Sequence, residues 1–329
     1  MKTVAIIGGG IAARSLLFAM AKKNIRHKIL VFQSDSFAFP CSLHSTAIVA
    51  PRGISTGHSG LGDNLVEGFN RFSLHISEDH PGGVIRVPQY TAAISKIEQF
   101  QKRYPGGELV NRCGAISLKT EMYVAREEAY LIRPLEYLQW LMDEAAKVLN
   151  LTVIESFVTE IKDGKIHTAD QTEFSADEII FTTGVQNDLW QPLFSGNKNT
   201  KSAQGSYLEF SQVNLGQDSF SMTLEGNNLI YDAERATVLA GSSTHESRLE
   251  LPPEKELFGI HESLQRLVNL SLPDFKTGVI KTGLREKASK REPYILRSGN
   301  LSMLGGLYKN GYRVSLRMAE ELLSSISPD

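Results

Sequence analysis

Val4-Ala5-Ile6-Ile7-Gly8-Gly9-Gly10-Ile11-Ala12-Ala13 runs from a short apolar stretch into a glycine turn with the pattern G-x-G-x-x-A. The apolar stretch suits a buried parallel strand, and Ser15 to Lys22 continues with the apolar spacing of a helix. Gly8 permits the tight strand-to-helix turn, Gly10 lets the backbone approach a pyrophosphate, and Ala13 keeps the helix close to the strand. Ile11 and Ala12 open that helix, whose N-terminal amides attract phosphate charge. A glycine turn alone is a weak signal. Here it follows a strand, opens a helix and precedes a second apolar strand, Lys28 to Phe32, the context a dinucleotide site requires.

That second strand ends in Gln33-Ser34-Asp35. A dinucleotide fold commonly places Asp or Glu there to accept from the ribose hydroxyls. Gln33 offers a neutral version of that bond, and Asp35 lies further along. No arginine stands beside them, so nothing points to a 2′-phosphate.

Composition sets the outer limits. A chain of 329 residues suggests one large domain or two interleaved ones. With 41% hydrophobic and 22% charged residues it has an ordinary globular make-up. A net charge of −2 gives no reason to expect nucleic acid as the main partner. Two cysteines, Cys41 and Cys113, argue against a disulfide framework or a zinc site. His58, His75 and His80 show no ligand spacing, so no metal is expected. The glycine turn and basic Arg14, Lys22 and Lys23 break any reading of the N-terminus as a signal peptide. No apolar run reaches the length of a membrane span, and a cytoplasmic location is expected.

Residues 36–72 lack clear periodicity, and a stretch that long without structure is usually functional. Alternating apolar segments from Val84 to Leu118 predict antiparallel strands. An amphipathic helix is expected over Arg133 to Leu149, with Pro134 in its first turn. A hairpin over Val158 to His167 follows, then the strand Glu178 to Phe181, short strands through 205–243, a helix over 253–270 and a last helix from Gly311 to Ile326. The expected fold is α/β: a Rossmann-like nucleotide-binding domain (1–80, 131–200, 281–329) interleaved with a β-rich, antiparallel substrate domain (81–130, 201–280).

Five further blocks make a resemblance specific. They are Cys41-Ser42-Leu43-His44-Ser45-Thr46-Ala47-Ile48-Val49-Ala50-Pro51, Phe181-Thr182-Thr183-Gly184, Ala203-Gln204-Gly205, Gly283-Leu284-Arg285 followed by Arg291-Glu292-Pro293-Tyr294-Ile295, and Gly306-Leu307-Tyr308-Lys309-Asn310-Gly311. With the glycine turn and Thr237 to Ser243, the chain resembles, in order and over nearly its whole length, the D-amino-acid oxidase superfamily. The likeness is to its glycine oxidase and sarcosine oxidase branch. It is also similar to the oxidase domain of bifunctional enzymes that modify wobble uridine in transfer RNA.

The resemblance implies FAD as cofactor. It places Gly8, Gly10, Ile11, Ala12, Ala13, Gln33, Ser42, His44, Ser45, Thr46, Ala47, Val158, Thr183, Gly184, Gly283, Lys309, Asn310, Gly311 and Tyr312 around it. It implies a small amine or α-amino acid as substrate, with hydride transfer to the flavin, hydrolysis of the imine and formation of peroxide. Arg285, Tyr231 and Lys309 are the candidate substrate contacts. A guanidinium at a strand end can pair with a carboxylate through two bonds, although Glu286 and Glu292 offer it a plain ion pair instead. Tyr231 offers a phenol or is core packing; Lys309 offers a point charge or caps a loop. His44 matches the histidine that a dehydrogenase branch bonds covalently to flavin, yet Leu43 replaces the preceding tryptophan, and a non-covalent contact with the flavin edge or a loop carbonyl is expected.

The chain departs from the family pattern at several places. Glu286 replaces a proline, Lys309 an arginine, Gln204 an arginine and Ala47 a glycine. Two other functions stay open on sequence: oxidation of an amino group borne on transfer RNA or protein, and a flavin-bound maturation or binding partner without turnover.

Overall fold

The computed structural model describes residues 1–34, 36, 39–51, 57, 59–196, 198–246 and 254–326. Its organising element is a six-stranded sheet. The order is Tyr294–Ser298, Leu301–Gly305, Glu178–Phe181, Thr3–Ile7, Lys28–Gln33 and Asn150–Glu155. All neighbours are parallel except the first two, which form a hairpin. Central strands of such a sheet are covered on both faces, which is why Ala5, Ile6, Ile29, Val31 and Ile179 read as continuous apolar runs. One face carries the helices Ile11–Lys22, Pro134–Ala146 and Gly311–Ser325. The other carries a small antiparallel sheet, Val158–Lys162, Lys165–Thr168 and Glu173–Ser175, with Phe174 edge-on to Phe32 at 5.1 Å.

A second sheet of ten strands runs through 48–132 and 200–288. It is antiparallel apart from one parallel pair, Phe220–Leu224 beside Val84–Ala93. The helix Glu254–Leu267 buries Leu257, Ile260 and Leu264 against one of its faces. The strand Val279–Ala288 pairs along its whole length with Thr200–Phe210. That pairing carries Arg285 from the second sheet back toward the first.

One stretch differs from the sequence reading. Gly60–Asp79 is a 20-residue helix, N-capped by Ser59, whose hydroxyl accepts from Gly62 N–H at 3.0 Å. Its buried stripe is Leu65, Gly68, Phe72 and His75. The spacing is helical, but a glycine and a histidine interrupt the apolar signal. Gly68 allows close contact with the last helix, because a Cβ there would lie 2.8 Å from the Arg313 carbonyl oxygen. His75 is a core histidine, its Nδ1 2.9 Å from Asp79 and its ring against Phe18 and Trp140. Among the described residues no helix is long and apolar enough to cross a membrane.

Candidate flavin and substrate cavity

A cavity opens where the carboxyl ends of the parallel strands meet the second sheet, the usual ligand position in open α/β sheets. The glycine turn forms one wall. Gly8 sits at φ +117° with its N–H bonded to the Phe32 carbonyl at 2.8 Å, and a Cβ would lie 2.6 Å from the Thr182 carbonyl oxygen. A Cβ on Gly10 would come within 3.0 Å of Ser42 Oγ. Ser42 Oγ also accepts the Ile11 N–H at 3.1 Å, so the first helix is met at its N-terminus by a distant segment. Gly10 itself provides no side-chain cap. Ala13 is fully buried against the sheet.

The segment from Cys41 to Ala50 forms the second wall, with Ser42, Ser45, Thr46 and Ala47 lining the cavity. The Tyr312 hydroxyl donates to the Ser42 carbonyl and fixes this segment to the last helix. Ala47 adopts a left-handed φ of +36°, which explains why the family pattern favours glycine there. The third wall is the turn into the last helix, where Lys309, Asn310, Gly311 and Tyr312 all line the cavity. Asn310 makes no side-chain cap, so the N-terminus of the last helix is open to a ligand.

Arg285 lies at the far end and is 8% exposed. Its guanidinium lies over Gly205 on the paired strand, and Nη1 makes no hydrogen bond. Burial lowers its pKa, but an arginine stays cationic at neutral pH. Glu286 does not pair with it; successive residues of a strand face opposite ways, and the Glu286 carboxyl is held by Asn187, Tyr294 and Gly306. Lys309 Nζ donates to Thr244 Oγ1 at 2.9 Å and lies 5.6 Å from the Tyr308 ring centre. Burial lowers its pKa, and the nearby Arg285 charge adds to this.

A glycine-lined cradle at the first helix, an uncapped N-terminus at the last helix and a buried guanidinium whose Nη1 lacks a partner among the described residues fit a dinucleotide flavin and an anionic ligand. A family model, "FAD dependent oxidoreductase" (DAO), matches residues 3–324. The chain belongs to the DAO family of FAD-dependent oxidoreductases. FAD is therefore its cofactor.

Solved structures of DAO-fold enzymes superpose on nearly the whole chain. Glycine oxidase from Bacillus cereus ATCC 14579 does so with a TM-score of 0.76 at 16% identity, covering 100% of this chain and 96% of that one. Iminodiacetate oxidase from Chelativorans sp. BNC1 gives 0.75 at 14% identity, covering 99% and 96%. L-α-glycerophosphate oxidase from Mycoplasma pneumoniae, with FAD bound, gives 0.77 at 13% identity, covering 100% and 96%. At these identities the likeness is one of fold. No curated protein matches the chain by sequence.

Several expected site residues of this DAO-family chain stand elsewhere. Tyr231 is a correction: its side chain is 1% exposed in the core of the second sheet, and its hydroxyl donates to the Gly216 carbonyl at 3.0 Å. Strand alternation turns Asn228 and Ile230 to the cavity instead. His44 is a second. Its Nδ1 lies 2.6 Å from the Thr282 carbonyl oxygen, so that nitrogen carries the proton, and the ring does not line the cavity. Gly283 serves contact between segments, since a Cβ there would lie 2.8 Å from Cys41 Cα. Thr183 donates through its hydroxyl to Asn187 Oδ1 at 2.7 Å, leaving Thr182 and Gly184 on the cavity. Val158 opens the small sheet, packs partly buried against the core and is not among the residues that line the cavity. Gln33 abuts Gly9 and donates to Glu155 Oε1 at 2.6 Å. Asp35 and His58 lie outside the described residues.

Cys41, Thr182, Asn228, Ile230, Ser242 and Tyr308 also line the cavity and were not marked by the sequence reading. Cys41, Thr182, Ser242 and Tyr308 lie inside the stretches that carry the family resemblance, but nothing in their side-chain chemistry distinguishes them from their neighbours. Among the described residues no group of three or more histidine, cysteine or acidic side chains could hold a metal ion.

Proposed function

We propose that the protein oxidises the C–N bond of a small amine, with an α-amino acid of the glycine or sarcosine type as substrate. The observation that carries this reading is the buried Arg285 guanidinium, which faces the cavity with Nη1 lacking a hydrogen-bond partner. A buried cation without a counter-ion is costly, and a substrate carboxylate relieves that cost through a charge-assisted, two-pronged bond. The fold-level neighbours support it, since two of the superposed enzymes are named for glycine and iminodiacetate.

Bound FAD supplies the two-electron acceptor for a hydride. Arg285 fixes the carboxylate and thereby the direction of the adjacent α-C–H bond. Ala47, Ile48, Val49 and Ile230 give the cavity an apolar wall that limits water around the reacting carbon. Loss of hydride from carbon and a proton from nitrogen leaves an imine, which water hydrolyses. Dioxygen then accepts the two electrons and two protons as peroxide.

Purified, FAD-loaded protein assayed for peroxide over a panel of amines and amino acids tests the reading. Turnover is expected with a small amino acid and not with the amine lacking the carboxylate. Equal turnover of both would remove Arg285 from the substrate.

A further inference from the structure

Glu286 stands where the family pattern has a proline, and the reading above gives it no task. Its side chain is 5% exposed, and among the described residues it forms no ion pair. Three donors converge on its two oxygens. Oε2 accepts from Asn187 Nδ2 at 2.9 Å and from the Gly306 backbone N–H at 2.8 Å, and Oε1 accepts from the Tyr294 hydroxyl. Asn187 extends the network: its Oδ1 accepts from the Thr183 N–H at 3.2 Å and from the Thr183 hydroxyl at 2.7 Å.

These bonds join three separate stretches of chain that meet at the cavity. One leads from Thr182 and Gly184 at the end of a parallel strand, one is the strand bearing Arg285, and one is the Gly305–Gly306 turn before Lys309 and Asn310. A carboxylate is the one side chain of this size that only accepts, so it satisfies three donors at once. An apolar residue here would leave Gly306 N–H and Asn187 Nδ2 with less than their share of partners, at a cost typical of buried orphan donors.

We propose that Glu286 is a positioning residue, whose carboxyl clasps these three stretches and thereby holds Arg285 and the flavin-side wall in register for the substrate anion. The proposal rests on Arg285 receiving a carboxylate. The clasp also has two protonation forms. Burial is the main cause that raises the carboxyl to about 7, and its three hydrogen bonds oppose that rise. Protonated, Oε1 can donate to Tyr294, whose own proton can turn to Met303 Sδ, 3.6 Å away. The titratable groups facing it are Tyr294 from its hairpin strand, Asp188 from the turn after Thr183 and Cys41 from the flavin-side segment; Arg285 is its neighbour along the strand.

The test compares FAD-loaded parent protein with Glu286→Gln and Glu286→Ala. Acetate is titrated against the flavin absorption from about pH 6 to about pH 8.5, a range that spans the ionisation. FAD dissociation is followed by the rise of free-flavin fluorescence. In the parent, acetate affinity falls severalfold as pH rises through neutrality, because the ionised carboxyl places a negative charge at the cavity that receives the anion. Glu286→Gln keeps the acceptor for Gly306 and Asn187, retains FAD and gives a flat profile. Glu286→Ala weakens both acetate and FAD by about tenfold or more, the scale of a lost buried hydrogen bond. A Gln variant with the parent's pH break, or an Ala variant with parental affinities, overturns the proposal. If acetate leaves the parent's spectrum unchanged, the carboxylate reading of Arg285 fails instead. The FAD affinity of Glu286→Ala then decides for Glu286 alone: weakened FAD supports the clasp, and parental FAD affinity removes it.

Discussion

Arg285 stands opposite Ala203 on the paired strand, and its guanidinium reaches diagonally over Gly205: a Cβ on Gly205 would lie 2.3 Å from both of its terminal nitrogens. The glycine is the floor on which the guanidinium lies flat, and the cavity is above it. Gly205→Ala must therefore lift or rotate the fork. Arg285→Ala should weaken a carboxylate ligand by roughly 2–5 kcal/mol, the usual loss when one member of a desolvated charge pair is removed. Arg285→Lys should restore only part, since an ammonium cannot make the two parallel bonds. Gly205→Ala should resemble Arg285→Lys, with FAD retained. Titration of the flavin spectrum with acetate measures all three, and parental affinity in each would make Arg285 a structural residue.

The cofactor cradle makes a sharper demand. Gly10 already sits so that a Cβ would be 3.0 Å from Ser42 Oγ, and the space beyond is where the backbone must approach a diphosphate. The parent protein should purify yellow with one FAD per chain, and Gly10→Leu should be colourless while keeping its far-ultraviolet circular dichroism. Parental FAD content in Gly10→Leu would place the diphosphate elsewhere.

Much of this architecture was legible in the residues. The glycine turn and the uninterrupted apolar strands state the parallel sheet, since those patterns follow from local geometry and two-sided burial. Arg285 and Lys309-Asn310-Gly311, which the family resemblance singled out, line the cavity, although no local pattern marks them. What failed was orientation. Tyr231 lies on the correct strand but on its core face, and one step along the chain, Ile230, reaches the cavity. For His44 two partners were open on sequence, and the ring turns to the Thr282 carbonyl rather than to the cavity. Both outcomes depend on a partner strand remote in sequence. Glu286 was visible only as a departure, because its meaning lies in Asn187, Tyr294 and Gly306, none of them near it in a local pattern.

Outside the cavity a small ion-pair network, with Arg133 bonded to Asp232 and Glu234 and Arg235 to Glu136, ties the two sheets. Arg133, at the N-terminus of the helix Pro134–Ala146, reaches Asp232 of the second sheet through Nε at 2.7 Å and Nη2 at 2.9 Å. Side chains of both are almost buried, at 11% and 9% exposure. Arg133→Ala strands the Asp232 carboxylate and should cost about 3–5 kcal/mol. Arg133→Ala with Asp232→Ala should cost clearly less than the two single changes together, because the stranded charge is gone. Denaturant midpoints of the four proteins give the coupling; strict additivity would mean that the pair contributes nothing between the sheets.

His44 tests the attachment of the flavin. With Nδ1 protonated toward Thr282 and the ring outside the cavity lining, no covalent link to the cofactor is expected. Acid precipitation should leave a yellow supernatant and a chain of unmodified mass. His44→Ala should still purify yellow, with a modest loss of stability from the missing bond of about 1 kcal/mol. A yellow pellet that turns white in His44→Ala would establish the link and move the substrate toward N-methylated amino acids.

The buried carboxyl of Glu286 should also be visible in stability. Its ionisation is shifted upward in the folded protein, to about 7 from an ordinary 4.5, with burial the main cause. The sign follows directly. In the unfolded chain the group ionises first, so the folded state is favoured in acid and loses that advantage as pH rises through 7. The full loss corresponds to roughly 3 kcal/mol. Glu286→Gln has no proton to release and escapes it. The variant should therefore melt close to the parent at about pH 5 and clearly above it at about pH 8, against a background in which each unit of pKa difference is worth about 1.4 kcal/mol. Differential scanning across that range measures the gap. A gap that stays constant with pH would mean the carboxyl titrates alike in both states, and the clasp would then be held by a permanently ionised group. A gap that widens with pH would show a chain retaining a destabilising ionisable residue next to its cavity, the trade expected where activity rather than stability selects the side chain.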